Sequence, residues 1–453
     1  MKEAVIKVCK ILQDAGHKAV IAGGAIRDIL LGIEPHDFDI CTTATPDEVE
    51  ALFEKSILVG KSFGVVRVIV DGFEFEVATA RTESGSSDGR HPDEINFTKS
   101  LEEDAQRRDL TINALMFDPI TNEIFDFVGG KKDIEDGVVR FVGDPQKRIE
   151  EDHLRILRAI RFVLKDEKWF MEPETANIIK ENIHLIKDVS KERIHEEVWK
   201  MFETQRTQTI NGNRVSHRFG TFGEVINALD IFGALEIIFP EVFELKTVEQ
   251  KSKFHQEDAF AHTIMVLNHL PPTANKELIF SALWHDTGKK ETQTWNEEKE
   301  RFTFFNHENV SAKIAKKAMV DLKFSNDESK KVSWLILNHM KPHKINEMKL
   351  STVRRLLAEE WIEDFISLGI ADNLGRVCEE NEKTMDWIEE LEEIKNSHPE
   401  TKPRPLINGK DLIEAGMVAG PKFSEIIRSI FDAQLEGTIT TKEEAIELAK
   451  TIA

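Results

Sequence analysis

The 453-residue sequence predicts an α+β protein: a head built from a mixed sheet and helices, followed by an all-helical remainder. Three observations carry that expectation. Residues 1–140 alternate strand-like and helix-like segments, helical periodicity takes over from about Asp144, and no apolar run is long enough to span a bilayer. The length is about three times that of a typical domain, so several units are expected.

Within the head, residues 18–22 form a short apolar run that ends at Gly23-Gly24, and residues 25–31 follow a helical pattern. Residues 37–42 read as a strand, and residues 46–53 as a helix with Thr45 as its N-cap. Two β-branched or alternating runs, 65–70 and 73–80, flank Asp71-Gly72, a hairpin signal. Residues 81–92 (RTESGSSDGRHP) are rich in Gly and Ser and read as a mobile loop. Further on, breaks are expected near 212–223, at Pro271-Pro272 and around 399–405. The tryptophans at 169, 199, 284, 334, 361 and 387 fall mostly in helical patterns and read as core.

Composition narrows the function. A net charge of −22, from 60 basic and 82 acidic residues, argues against a general polyanion binder. The charge is uneven: −11 over residues 1–140, −1 over 141–230 and −10 over 231–453. Residues 311–350 nevertheless carry nine lysines against four acids, so a nucleic acid is limited in where it can lie rather than excluded. Cys9, Cys41 and Cys378 lie far apart, which speaks against a disulfide framework or a thiolate zinc site. Residues 1–20 lack the features of a secretory signal, and a cytoplasmic location is the expectation. Tyrosine is absent beside 28 Phe, so no phenol is available for catalysis or base stacking.

Asp37-Phe38-Asp39 places two carboxylates at i and i+2, on one face of a strand, a spacing that suits Mg²⁺ carrying substrate phosphates. An Asp-x-Asp alone is also a common solvated strand end. Its context adds weight, because Gly23 and Gly24 at a strand-to-helix turn let backbone N–H groups approach phosphates. Arg27 would reach those phosphates, with Asp28 orienting it, or the two would form only a local ion pair. Glu74 and Glu76 share one strand face, and either would supply a third carboxylate. In residues 106–114, Arg107 or Arg108 would grip phosphate and Asp109 or Asn113 would bond a ribose hydroxyl, unless Asp109 is simply an N-cap. On one helix over 151–162, Glu151, Asp152, Arg155 and Arg158 fall on one face. They read either as an ordinary charged face or as acceptors and donors that imitate a base edge.

A second candidate metal site comprises His262, His285-Asp286, His307, His339 and Asp372. Imidazoles and carboxylates from separate helices suit a divalent cation with positions left open for water. Buried, hydrogen-bonded structural histidines are the plain alternative.

GGAIRD (23–28), DFD (37–39), RRDLTINAL (107–115) and EDHLRILRAIRF (151–162) stand in the order and spacing of the class II tRNA nucleotidyltransferases. The chain resembles these bacterial CCA-adding enzymes over essentially its whole length; bacterial poly(A) polymerases share the head. The resemblance implies a polymerase-beta-like nucleotidyltransferase head over 1–140 and a helical neck and body over 141–250 for nucleotide selection and RNA binding. It further implies an HD domain over 251–375 and a helical tail over 376–453. The implied activity is template-independent addition of C, C and A to tRNA 3′ ends from CTP and ATP by two-metal transfer with Mg²⁺. By the same likeness Asp37 and Asp39 hold the catalytic metal and Glu76 supports it. Arg108 and Asp109 recognise ribose, Asp152 and Arg155 select CTP and then ATP, and Arg158 steadies them, while Gly23, Gly24, Arg27 and Asn113 complete the nucleotide site.

The order His…His-Asp…Asp is similar to that of HD phosphohydrolases. It implies one metal, a divalent transition ion or Mg²⁺, on His262, His285, Asp286 and Asp372, with His307 and His339 serving phosphate or a second metal. That would add a 3′-end repair activity. Departures are Leu110 where Phe is usual, and Met116-Phe117 and Phe127 where Tyr is common. Asp88-Gly89-Arg90 is typical of enzymes that complete the terminal A, and residues 59–64 lack the double arginine of poly(A) polymerases. The alternatives are addition of the terminal A alone, poly(A) synthesis, or HD phosphohydrolysis with the head as an RNA anchor. RNA is expected along 141–230 and on the lysines of 311–350, and no membrane partner is expected.

Overall fold

The structure, a computed structural model, describes residues 1–60, 64–203, 206–210, 213–217, 221–250, 258–376, 385–397 and 404–452. Cys378, residues 61–63 and parts of the breaks expected at 212–223 and 399–405 lie outside them. The chain divides into two compact units, residues 1–243 with 321–323, and residues 244–320 with 324–453. Among the described residues no helix is long and apolar enough to cross a membrane.

The first unit is organised by a seven-stranded mixed sheet. Its strands are β1 (Ala19–Ala22), β2 (Asp39–Thr42), β3 (Ser56–Gly60), β4 (Val65–Val70), β5 (Phe73–Thr79), β8 (Met116–Asp118) and β9 (Glu123–Phe125), with β6 (Arg81–Ser84) and β7 (Glu94–Phe97) forming a separate ribbon. The order is β3-β4-β5-β2-β1-β8-β9, and β2 with β5 is the parallel pair. β1 is buried at all four positions, which is why it reads as a continuous apolar run. Val20, Ala22, Cys41, Ala80 and Met116 pack with Leu101 and Ala105 of a short helix, Leu101–Gln106. Asp71 and Gly72 both take positive φ (51° and 82°), as a tight hairpin turn requires, and Thr45 caps Pro46–Leu52 in a reciprocal box with Glu48.

Four expectations change. The strand begins at Asp39, not Asp37, although the alternation persists: Asp37 and Asp39 are exposed while Phe38 and Ile40 are buried. The stretch 81–92 opens as strand β6, paired with β7, and is not a loop throughout. The helix expected over 151–162 is two helices, Pro145–Glu151 and Arg155–Val163. Two ribbons, Arg206–Ile210 with Asn213–His217 and Thr294–Asn296 with Arg301–Thr303, interrupt the helical remainder. Of the tryptophans expected in the core, Trp169, Trp284 and Trp387 are buried, and Trp199, Trp334 and Trp361 are half-buried.

In the second unit, helix Ala259–His269 packs on Ile362–Leu374, and Lys276–Trp284 packs on Asn326–Asn338. The last three helices, Gly409–Glu414, Lys422–Leu435 and Lys442–Ile452, enclose a smaller core of Ile407, Leu412, Ile426, Ile430 and Ala445. Glu328 ties two helices that each end in a candidate metal ligand. It completes a capping box with Ser325 at the start of Asn326–Asn338 and accepts from Lys276 Nζ at 2.8 Å. These contacts outweigh its desolvation and bring its pKa down to about 2. A depressed carboxylate contributes stability that is present above its unfolded value and lost as pH falls toward the folded one. Glu328→Gln should therefore cost about 2 kcal/mol at pH 7, seen as a lower urea midpoint, with the difference from the parent shrinking between pH 4.5 and 2.

Candidate active site and metal centre

A cavity of about 570 Å³ opens over one end of the β1–β2–β5 region. Gly23 leaves β1 at φ 79°, where a side chain is strained, and a Cβ there would lie 3.4 Å from Arg108 Nη1 and 3.8 Å from Asp39 Oδ2. Glycine thus keeps the space between a carboxylate and a guanidinium open. Parallel register sets Asp39 opposite Glu76, and antiparallel register sets Arg67 opposite Glu76. Arg67 Nη2 donates to Glu76 Oε1 at 3.1 Å, and its Nη1 lies 3.6 Å from Glu74 Oε2. The Asp39 side chain opens to the cavity, yet its withdrawal from bulk water pushes its pKa up; the charges of Glu76 and Asp37 push the same way, and Arg108 opposes them. The donor set is therefore acidic hard oxygen with an excess of negative charge, the chemistry that a Mg²⁺ ion relieves.

Gly23, Gly24, Arg27, Asp39, Glu76, Arg108, Asp109, Asn113, Asp152, Arg155 and Arg158 all line this cavity. Asp37 is exposed and does not. The local ion pair considered for Arg27 is present, with Nε and Nη2 on Asp28 Oδ1 at 2.9 and 2.7 Å. Its Nη1 donates to Asn113 Oδ1 at 2.5 Å, and its guanidinium lies 5.0 Å from the Phe162 ring centre. Arg107 and Arg108 both donate to the buried Asp104, at distances from 2.6 to 3.2 Å. Asp109 is not a helix cap: Leu110 holds that position before Thr111–Asn113, and Asp109 Oδ2 accepts from Arg158 Nε and Nη2 at 2.8 and 2.6 Å. Burial acts to raise the Asp109 pKa, but Arg158 outweighs it and holds the carboxyl well below the ordinary range.

The break between the two helices gives Asp152 its place. Asp152 is extended (φ −154°), its Oδ1 accepts from Leu154 N at 3.1 Å, and its carbonyl accepts from Arg155 N at 3.0 Å. A side chain that caps the next turn ends the preceding helix, a competition that a 3.6-residue periodicity does not register. Arg193 Nη2 grips both Asp152 oxygens at 3.0 and 2.9 Å. The pair between Glu151 and Arg155 survives the break at 2.5 Å, and Arg155 also donates to the carbonyls of Arg148 and Arg107. Opposite them, Gly89 of the β6–β7 connection accepts from His153 N at 3.0 Å.

Sequence reading missed Asp104, Glu83, which lies 3.1 Å from Arg107 Nη1, and Arg193. Only the third had a clear neighbour signal. On helix Lys191–Phe202 the apolar stripe of Ile194, Val198 and Met201 also contains Glu197, whose burial is met by Arg161 at 2.5 Å. A charge in an apolar register marks that helix as carrying buried ion pairs.

In the second unit His262, His285, Asp286, His307, His339 and Asp372 are all buried. Each imidazole bonds a backbone carbonyl through Nδ1: His262 to Gly375, His285 to Ala282, His307 to Phe304 and His339 to Ile336, at 2.7 to 3.2 Å. A carbonyl only accepts, so Nδ1 carries the proton and Nε2 is left with its lone pair. The Nε2 atoms then face each other, His262 to His285 at 3.4 Å and His307 to His339 at 3.1 Å. Facing lone pairs repel, and a cation between them removes the repulsion. The residues fit a divalent metal.

Two groups meet metal-ligand spacing, His262-His285-Asp286 and Asp286-His307-His339, with ligand atoms within 4.8 Å of one another and Asp286 common to both. Among the described residues no other three His, Cys, Asp or Glu side chains do so. Asp372 stands beside the first group, its Oδ1 3.0 Å from His262 Nε2 and 4.0 Å from His285 Nε2. Burial and then the neighbouring imidazoles push the His339 pKa down to about 3. Burial likewise lowers His262, whereas for His285 the Asp286 and Asp372 carboxylates outweigh burial and leave its pKa raised. Lys289 Nζ lies 2.6 Å from Asp286, and His343 and Arg376 each lie 3.1 Å from Asp372; the sequence reading had missed all three.

Residues 19–140 match the poly A polymerase head domain, 170–210 match the probable RNA and SrmB-binding site of polymerase A, and 259–377 match the HD domain. The chain is similar to the CCA-adding enzyme of Staphylococcus saprophyticus, 30% identical over 99% of this chain and 98% of that one. The CCA-adding enzymes of Lactobacillus helveticus and Bacillus pumilus are 46% and 48% identical over 43% and 44% of this chain. Those two alignments span about half the length of the relatives, 48% and 49%. Among solved structures, the Bacillus stearothermophilus CCA-adding enzyme in complex with CTP superposes with a TM-score of 0.69 at 24% identity, over 99% of this chain and 97% of that one. The fold is thus that of a nucleotidyltransferase with an HD domain. The chain belongs to the CCA-adding enzyme family.

The Asp109–Arg158 pair offers a direct check on the cavity. Arg158→Met leaves Asp109 without its cation and should cost about 2 kcal/mol at pH 7, less than a fully buried pair because Arg158 still meets solvent. In the parent the depressed Asp109 contributes stability above its unfolded pKa of about 4. In the variant its pKa rises above that value, and the penalty is relieved as falling pH protonates the carboxyl. The gap between the two urea midpoints should accordingly narrow from pH 7 toward pH 4.

Proposed function

We propose that this protein adds C, C and A to the 3′ ends of tRNA from CTP and ATP, releasing pyrophosphate, with an accessory phosphohydrolase activity in its HD domain. The observation that carries the first part is a single cavity with two kinds of wall. Its acidic wall is Asp39 and Glu76, and its other wall is the paired set Arg108, Asp109, Asp152, Arg155 and Arg158. In this reading Asp37 and Asp39, with Glu76 in support, hold Mg²⁺, which supplies activation of the RNA 3′-hydroxyl and neutralises phosphate charge. The chain's own groups do the rest. Gly23 and Gly24 admit the triphosphate close to the backbone, and Arg27, kept rigid by Asp28 and Asn113, gives it a fixed positive charge. Asp109 and Asn113 bond the ribose. Asp152 presents acceptors and Arg155 donors to the base edge, and Arg158 keeps Asp109 ionised and oriented. Because Arg193 fixes Asp152 and Glu151 fixes Arg155, the template is held before the nucleotide arrives.

The domains follow as 1–140 for transfer, 141–250 for nucleotide selection and RNA contact, 251–375 for the HD chemistry and 376–453 as a helical tail. The exposed lysines 313, 316 and 317 on helix His307–Asp321 also contact RNA in this reading. His262, His285, Asp286 and Asp372 hold a divalent ion, and Asp286 with His307 and His339 holds a second. That ion supplies a water nucleophile near neutral pH for removing 3′-terminal or 2′,3′-cyclic phosphate.

A tRNA transcript ending before CCA, resolved at single-nucleotide length, tests the transfer reading. Three residues should be added only when CTP and ATP are both present, and Asp39→Ala should abolish addition while leaving tRNA binding intact. A long ladder from ATP alone would instead mean poly(A) synthesis, and a single added A on a transcript ending in CC alone would mean A-addition. The HD reading predicts one or two manganese ions retained per chain after gel filtration. They should be lost in His285→Ala while CCA addition persists. A parent chain that retains no metal and releases no phosphate would remove this second activity.

A further inference from the structure

The metal centre lies at the floor of a cavity of about 450 Å³ whose rim its ligands do not account for. Lys299, Arg301 and Lys344 line that cavity, and none of the three has an ion-pair partner among the described residues. Cations left unpaired above an acidic metal cluster are expected where the ligand brings its own negative charge. Phe305 also lines the cavity and is 76% exposed, the most open of the phenylalanines among the described residues. A large ring held in water at a pocket mouth gains nothing for folding. The backbone fixes it there, since the next residue, Asn306, takes φ 65°, a left-handed turn that asparagine tolerates, and its Oδ1 accepts from Asn309 Nδ2 at 2.6 Å. Just before it in the chain, the ribbon Thr294–Asn296 with Arg301–Thr303 is braced by Trp295 edge-on to Phe302, with ring centres 5.1 Å apart. The aromatic face is thus positioned, open, and bordered by free positive charge.

We infer that Phe305 is a platform on which the HD cavity stacks the base of a nucleotide carrying a terminal phosphate, with Lys299, Arg301 and Lys344 gripping its phosphates. This rests on the phosphohydrolase reading of the site and deepens it, because it makes the site selective for base-bearing phosphates over simple phosphate esters. A flat base needs a flat apolar partner, and base–aromatic stacking tolerates any base, so the platform selects the class without reading the sequence. Glu308, the rim carboxylate beside His307, restricts how closely a phosphate approaches from that side, which favours entry along the lysine–arginine edge.

The test uses the full chain loaded with manganese and compares adenosine 3′-monophosphate with β-glycerophosphate. Binding is read locally, as quenching of Trp295, identified as the signal missing from Trp295→Phe. Phe305→Ala should weaken the nucleotide about tenfold and leave β-glycerophosphate unchanged, and Phe305→Trp should restore the nucleotide. Arg301→Ala with Lys344→Ala should weaken both ligands and flatten the salt dependence. An RNA oligonucleotide with a 3′-phosphate that binds more tightly than the mononucleotide, through those two cations, identifies an RNA end as the source; equal binding identifies a free nucleotide. No Trp295 response, no change in Phe305→Ala, or equal losses for both ligands would overturn the inference. Phosphate release from both compounds without dependence on Phe305 would keep the hydrolase reading and discard the platform. Phe305-dependent binding with no metal-dependent phosphate release from either would do the reverse.

Discussion

The first unit depends on one constraint: fixed charges that face a ligand cavity are each backed by an opposite charge on the protein side. Asp104 carries the largest share. It is buried at 1% exposure and holds the guanidiniums of Arg107 and Arg108 on its two oxygens, and its Oδ1 also accepts from the backbone of Arg81. Burial works to raise its pKa, yet the two arginines keep it lowered, so the cluster remains ionised. Asp109 with Arg158, Asp152 with Arg193 and Arg155 with Glu151 repeat the arrangement around the same cavity. A side chain pinned in this way has lost its rotamer freedom during folding, so little remains to be lost when a ligand binds.

Asp39 and Glu76 are the exception, and the exception has a purpose in the proposed chemistry. Strand register brings them side by side with Asp37 nearby, and Arg67 and Arg108 compensate only in part, which is why the Asp39 pKa is raised. The second unit shows the same logic in another material. Its four imidazoles are locked by backbone carbonyls so that their lone pairs converge, and Lys289 and Arg376 lie against its two aspartates. In the proposed reading, negative charge or lone pairs in excess define where a cation belongs, and balanced charge defines where a nucleotide is read.

Much of this was legible in the sequence because it depends on local rules. Gly23 at positive φ, the Asp71-Gly72 turn, the Thr45 cap and the alternation around Asp37 to Ile40 follow from backbone sterics and periodicity over a few residues. The cavity gathers eleven of the twelve residues expected there and leaves Asp37 out of its lining. What sequence did not disclose was the second layer. Asp104, Arg193, Lys289 and Arg376 act on partners that tertiary packing supplies, or on helical neighbours whose burial a periodicity does not report. The break at Asp152 was hidden for a related reason. The 151–162 pattern is helical in every residue type, and only the competition of one carboxylate for Leu154 N and Arg193 splits it.

The choice of residue types in the two units follows from what each must hold. Arginine stays charged at any physiological pH and offers donors in a fixed plane, so in the proposed function paired arginines suit a wall that presents the same face to successive nucleotides. Histidine buried away from water stays neutral, as burial makes it at His262 and His339, and a neutral imidazole binds a cation without having to shed a proton first. Phenylalanine takes the aromatic roles in a chain without tyrosine. Phe162 lies beneath Arg27, Arg161 and Lys165, with cation-to-ring distances of 5.0, 4.6 and 5.3 Å. An unsubstituted ring stabilises the guanidiniums through its face while leaving the hydrogen-bond geometry of the cavity unchanged.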